Sequence, residues 1–193
     1  MHQQLINYIN NHSTVPLTSE EETLIAASFH FRKLRKKQYF LLEGDVCRHT
    51  AFVIKGAMRQ YSVDEKGVEH VVHLFLEDYW ASDRESMIML TPSVYNIDAW
   101  EETEILLITR AEMLVLMTKV PAVAEMIRLM DERNAIANQR RLSSAISSTA
   151  EKRYEEFANH HPRFIERFPQ HLIASFLGIT KETLSRIKKQ SLR

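Results

Sequence analysis

From about Lys36 to Thr109 the chain carries only short apolar runs divided by tight-turn chemistry, and no other feature narrows the fold as much. The runs are Tyr39-Phe40-Leu41-Leu42, Ala51-Phe52-Val53-Ile54, Met58 to Val63, Val68 to Leu76, Val94 to Trp100 and Ile105 to Ile108. They are rich in β-branched and aromatic residues, which pack well on a pleated surface. Between them stand Glu43-Gly44-Asp45, Lys55-Gly56, Asp64-Glu65-Lys66-Gly67 and Thr91-Pro92-Ser93, all of which favour turns. Strands this close together, with no helix among them, form an antiparallel roll, barrel or sandwich. A doubly wound sheet is excluded.

The flanks follow a helical period instead. Leu5, Ile6 and Ile9 share one face, and Thr18 with Glu21 forms a capping box ahead of Leu24, Ile25 and Phe29. After Thr109 the period returns in Ala111 to Thr118, then from Pro121, a good first-turn residue, to about Ser147. Along that stretch Val123, Ile127, Met130, Asn134, Ala137 and Arg141 step 4-3-4-3-4, the seam of a coiled coil. A parallel second copy is the natural occupant, and Asn134 would favour a homodimer in one register. The other occupant is the chain's own β-region, with Met126 and Leu129 as core. Ser148 and Glu151 make a further capping box for a helix through Tyr154 and Phe157, which His160-His161-Pro162 ends. The expected organisation is α+β: a β-roll or jelly roll with N-terminal helices over 1–120, a long dimerisation helix over 121–148, and a helical domain over 149–193.

The most specific motif lies in that last segment, from Pro169 to Gln190. Pro169 opens a first helix, Leu172, Ile173 and Phe176 supply its buried face, Ala174 allows close approach, and Gly178 takes the turn. Thr180 then caps a second helix whose inner face is Leu184 and Ile187. This is the spacing of a helix-turn-helix. Its outer face carries Lys181, Glu182, Ser185, Arg186, Lys188 and Lys189, with Thr183 near the edge. Glu accepts from cytosine N4 and Arg grips guanine O6 and N7, so Glu182 and Arg186, at i and i+4, suit neighbouring base pairs. The alternative is an i,i+4 surface pair with no ligand.

Charge supports the polyanion reading. Residues 1–138 hold 14 Lys and Arg against 20 Asp and Glu, a net of −6, whereas 139–193 hold 11 against 5, a net of +6. The last segment alone is suited to a polyanion such as double-stranded DNA; a solvated face or an acidic protein partner is the alternative. At 193 residues and 45% hydrophobic content the chain buries a real core. The single Cys47 excludes an internal disulfide framework and any intrachain four-cysteine zinc or iron–sulfur site. No apolar run spans a bilayer and Met1-His2-Gln3-Gln4 lacks signal-peptide character, so a cytoplasmic protein is expected. His70 and His73, three apart on a strand, point to opposite faces and make poor co-ligands; neither a metal nor a cofactor is expected. A cupin-like enzyme is disfavoured, because no His-x-His plus Glu cluster and no Gly-x-Ser-x-Gly motif is present. A dimeric ligand-binding or protein-interaction module without DNA binding is the remaining alternative.

A β-roll, a long helix and the segment Thr180-Lys181-Glu182-Thr183-Leu184-Ser185-Arg186 resemble the Crp/Fnr superfamily of bacterial transcription regulators. The resemblance runs from about residue 20 onward. It is strongest in the recognition helix, where the family's Arg/Lys-Glu-Thr-x-x-Arg pattern falls on Lys181, Glu182, Thr183 and Arg186; it is weaker in the roll, on Glu43-Gly44-Asp45, Ile54-Lys55-Gly56-Ala57 and Asp64-Glu65-Lys66-Gly67. It implies a cyclic-nucleotide-binding-like domain, a near-palindromic operator, contact with RNA polymerase, and a small-molecule effector that shifts a hinge near 145–150.

Two departures qualify it. Relatives that bind cyclic AMP carry a Gly-Glu-Leu turn and an Arg-Ser/Thr-Ala step, and the matching positions here are Ala81-Ser82-Asp83 and Ser93-Val94-Tyr95. The phosphate-clamping Arg and the ribose Glu are missing; Arg84 lies close, but Asp83 and Glu85 oppose an anion, so tight cyclic-nucleotide binding is not expected. A different effector would meet Trp80, Ser82, Arg84, Ser93 and Tyr95, with Tyr79, Trp100 and Met87 to Met89 as apolar lining; the alternative is that these aromatic and Met side chains are plain core. The second departure is the lack of a wing after the recognition helix, which leaves phosphate contacts to Lys188, Lys189, Arg193, Arg163 or Arg167 and predicts steep salt dependence.

Overall fold

The computed structural model describes residues 2–191. Helices α1 (His2–Asn11) and α2 (Ser19–Ser28) lead into strands β1 (His30–Leu34), β2 (Tyr39–Leu41), β3 (His49–Lys55), β4 (Met58–Val63), β5 (Glu69–Phe75) and β6 (Trp80–Ala81). A short helix α3 (Arg84–Met89), strands β7 (Asn96–Ala99) and β8 (Thr103–Thr109), and helix α4 (Arg110–Lys119) follow. Then come α5 (Pro121–Ser147), α6 (Ala150–His160), α7 (Pro162–Arg167), α8 (Gln170–Phe176) and α9 (Lys181–Ser191). The strands form two antiparallel four-stranded sheets, ordered β1-β8-β3-β6 and β2-β7-β4-β5. The mixed α+β roll expected from the strand spacing is present.

Strand alternation sorts the side chains into three cores. Leu34, Leu41, Val53, Met58, Phe75, Ile97 and Ile105 fill the space between the sheets. Phe52, Leu106 and Ile108, on the opposite face of the first sheet, pack under α1, α2, α4 and the start of α5 with Leu5, Ile9, Ile25, Leu116 and Met126. Tyr61, Val71, Leu74 and Leu76, on the outer face of the second sheet, meet Phe157, Phe164, Phe168, Leu172, Ile173 and Leu184 of the C-terminal helices. Each fully buried side chain of this kind contributes about 1.5–3 kcal/mol. The segment after residue 149 therefore shares a core with the roll.

The Thr18–Glu21 box forms as expected, with both backbone N–H groups capped. Gly56 permits the β3–β4 turn at φ +104, where a Cβ would lie 2.6 Å from Thr103 Oγ1.

Several expectations need correction. A helix, α3, does interrupt the roll: Asp83 caps it through Ser86 N–H, a signature hidden by the strand-like composition around it. Strand β1 was not anticipated, because His30-Phe31-Arg32-Lys33 is exposed on both faces and lacks alternation. Thr149, not Ser148, caps α6, accepting from Lys152 N–H. Val123 is 2% exposed and belongs to the chain's own core, so it is not free for a partner helix, while Ile127 packs against that core and stays half-buried. Of the remaining seam residues, Met130 is half-buried, Asn134 and Ala137 are exposed, and Arg141 donates to Val72 O at 2.6 Å within the same chain. No helix among the described residues is long and apolar enough to cross a membrane.

Candidate nucleic-acid interface and effector cassette

The turn between α8 and α9 is a complete Schellman motif. Ile179 N–H donates to Ala174 O and Gly178 N–H to Ser175 O, both at 3.0 Å, and Gly178 takes φ +65. Thr180 then accepts from Thr183 N–H at 3.1 Å, while its carbonyl receives Leu184 N–H at 3.0 Å. Helix α9 thus starts at a capped, sharply defined point. Leu184 and Ile187, 1% and 2% exposed, pin its inner face, and α6 packs beside it.

That anchoring settles what faces outward. Lys181, Glu182, Arg186 and Lys189 are exposed, and with Ser185 and Gln190 they line one open depression. Lys188 and Ser185 are half-buried; the Thr183 hydroxyl lies 3.0 Å from that of Thr180 and so serves the cap. Arg186 lies 4.0 Å from Glu151, an exposed pair of little strength that leaves the guanidinium free to turn toward a ligand.

The arginines expected to supplement these contacts are already engaged. Arg163 binds Glu77 at 2.7 Å, and Arg167 binds Glu77 at 3.1 Å and also Glu101. Burial raises the Glu77 carboxyl, but Gly56 N–H and Arg167 outweigh it and hold the group below the ordinary range. Both arginines are thus paired with carboxylates of their own chain, and Arg193 lies outside the described residues. Ser175 ties α8 to β5, accepting from Val71 N–H at 2.9 Å and donating to Glu69 O at 3.2 Å. Arg141 lies 4.7 Å over the Phe176 ring, joining α5 to the same unit.

At the cassette the structure separates the expected pocket residues. Trp80 belongs to the core under the N-terminal helices, 5.0 Å from the Phe52 ring and 6.0 Å from Phe29, and is removed from the effector set. Arg84 is bound to Asp131 of α5. Ser93 is buried and donates to Asp83 Oδ2 at 2.6 Å, and Tyr95 N–H donates back to Ser93 Oγ at 3.0 Å. Ser82 and Tyr95 remain half-buried. Of the proposed apolar lining, Met87 is buried in the core between the sheets while Met89 is 67% exposed.

Sequence reasoning missed two groups here. Asp83, 5% exposed, is the hub of the cassette; its spacing to Ser86 was the available sign. Loop 43–47 is laced to the same place by Gly44 N–H to Ser93 O, Ser93 N–H to Asp45 O and Cys47 N–H to Ser86 Oγ. No local signal announces those long-range bonds.

A model of the cyclic nucleotide-binding domain matches residues 31–119. No curated protein matches the chain. Among solved structures, the CLP regulator of Xanthomonas campestris, described as c-di-GMP responsive, has a TM-score of 0.72 at 14% identity, over 91% of this chain and 92% of that one. FixK2 from Bradyrhizobium japonicum follows at 0.70 and 18%, over 84% and 83%. The Thermus thermophilus catabolite activator protein gives 0.57 and 20%, over 90% and 83%. These neighbours are regulators of the Crp/Fnr type, and this chain shares their fold.

Proposed function

We propose that the protein is a homodimeric, sequence-specific DNA-binding transcription regulator whose reading element is α9, the second helix of a helix-turn-helix. One observation carries this: buried Leu184 and Ile187 turn Lys181, Glu182, Arg186 and Lys189 together toward solvent on a Thr180-capped helix. Inserted in the major groove, Glu182 would accept from cytosine N4, and Arg186, released from Glu151, would take guanine O6 and N7. Lys181, Lys188 and Lys189 would meet phosphates, so affinity falls steeply with salt.

The dimer forms on the side of α5 turned away from its own roll. Ala135, Gln139, Leu142 and Ile146 step 4-3-4 there, flanked by Ile136, and Ile136, Leu142 and Ile146 are 50%, 64% and 79% exposed. A second copy of α5 covers them, and two reading helices then address half-sites about 34 Å apart in a near-palindromic operator. Contact with RNA polymerase and control by a small effector complete the reading. The effector is not a cyclic nucleotide held by the usual clamp, because the buried Asp83 carboxylate stands against a phosphate and Ser93 supplies no charge.

Selection of bound fragments from random DNA, followed by band shifts, tests the proposal. Glu182→Ala and Arg186→Ala should each relax preference at one base pair per half-site, by about 1–3 kcal/mol. Unchanged sequence preference in both variants would remove α9 as the reading head.

A further inference from the structure

Strands β1 and β2 are edge strands of different sheets, joined through residues 35–38, and a cleft of about 390 Å³ opens beside them. Its wall is Phe40, Leu41 and Val46, its floor includes Cys47 at 2% exposure, and its rim carries Arg32, Arg48, His49 and Asp45. This volume falls within the range of about 300–1,000 Å³ typical of small-ligand sites.

Several cations of the roll are held by acids, and what sets the rim cations apart is that they line one cleft. Arg59 is held by Asp98 and Glu69, Arg84 by Asp131 and Lys33 by Glu102. Among the described residues, the side chains of Arg32, Arg48 and His49 have no ion pair or hydrogen bond. Asp45 is the one acid among the residues lining the cleft, against the two arginines Arg32 and Arg48. The loop bearing Asp45 and Cys47 is the one laced to Ser86 and Ser93 of the cassette, and α3 in turn reaches α5 through Arg84 and Asp131.

We propose that this cleft binds a small anion with an apolar body, an aromatic carboxylate or phosphate monoester, whose charged end is gripped by Arg32 and Arg48. The apolar body lies on Phe40, Leu41 and Val46. The site is distinct from the cassette positions Ser82, Ser93 and Tyr95, and from the α9 surface.

Calorimetric titration of the full chain at low ionic strength, with phenyl phosphate, phenylacetate and uncharged phenol, tests it without any reference to DNA. Both anions should bind at one site per chain, with phenol at least about tenfold weaker. Arg32→Gln with Arg48→Gln should weaken the anions by about tenfold or more, since charge-assisted hydrogen bonds are lost. Both arginines are exposed and unbonded, so an unaltered melting midpoint is expected of that variant. Lys181→Gln, Lys188→Gln and Lys189→Gln together should leave anion binding unchanged. Absence of anion binding at millimolar concentration, equal affinity in the arginine variant, or loss in the lysine variant would each overturn the assignment.

Discussion

Arg59 lies at 8% exposure on the outer face of the second sheet, with Asp98 at 2.9 and 3.0 Å, Glu69 beyond it and the Tyr61 ring 4.1 Å away. Removing one partner of such a pair strands the other, so Arg59→Ala should cost about 3–5 kcal/mol in urea unfolding, while Arg59→Met with Asp98→Asn should recover most of it. Gly56→Ala faces both a positive φ and backbone at 2.7 Å, and should lose on the order of 2–4 kcal/mol by the same measurement. His73 supplies a pH signature. Desolvation by the surrounding protein and the nearby Arg141 guanidinium push its imidazole from 6.5 down to about 4, although the residue itself is exposed at the surface. The unfolded chain takes up that proton before the folded chain does, so stability should fall as pH drops from about 6.5 to about 4. Melting profiles of His73→Asn should be flatter across that window.

At the scale of elements, α5 shows how far a periodic pattern reaches. The 27-residue helix is present over Pro121–Ser147, and its start was legible from Pro121 and the resumed helical period. Which side meets what was not legible, because small and polar residues such as Ala135, Ala137, Asn138 and Gln139 surround the shaft and leave two seams compatible with one sequence. Burial of Ala122, Val123 and Met126 gives one side to the roll and leaves Leu142 and Ile146 outward. Leu142→Glu with Ile146→Glu should therefore convert a dimer to a monomer in sedimentation and abolish tight operator binding, whereas Ala137→Glu, an exposed position on the opposite side of the helix, should not. Helix α9 was read more fully, since turn glycine, cap and inner apolar pair all lie within a dozen residues. Thr180→Ala should cost about 1 kcal/mol in stability and weaken DNA binding in proportion to fraying of its first turn.

For the whole molecule, the C-terminal helices are docked on the second sheet by the Phe157–Phe164–Phe168 cluster, by Ser175 and by the Glu77–Arg163–Arg167–Glu101 ion pairs. The folded Glu77 carboxyl sits below its usual value of 4.5, so its contribution is complete above that pH and is lost as pH falls through the folded value. Hydrogen exchange should show α7 and α8 opening more readily at low pH, and Glu77→Gln should reproduce that opening at neutral pH while leaving the β3 and β8 amides protected.

Turns, caps and alternation are written within a few residues of one another, and these local signals determined the antiparallel roll, the long helix and the capped pair at 170–191. Contacts between distant segments obey no such spacing. Only packing decided that Trp80 leaves the cassette for the N-terminal core, that Arg163 and Arg167 serve Glu77, and which side of α5 stays bare. Each of these depends on which surfaces remain uncovered once the sheets have stacked, a quantity that no stretch of local sequence encodes.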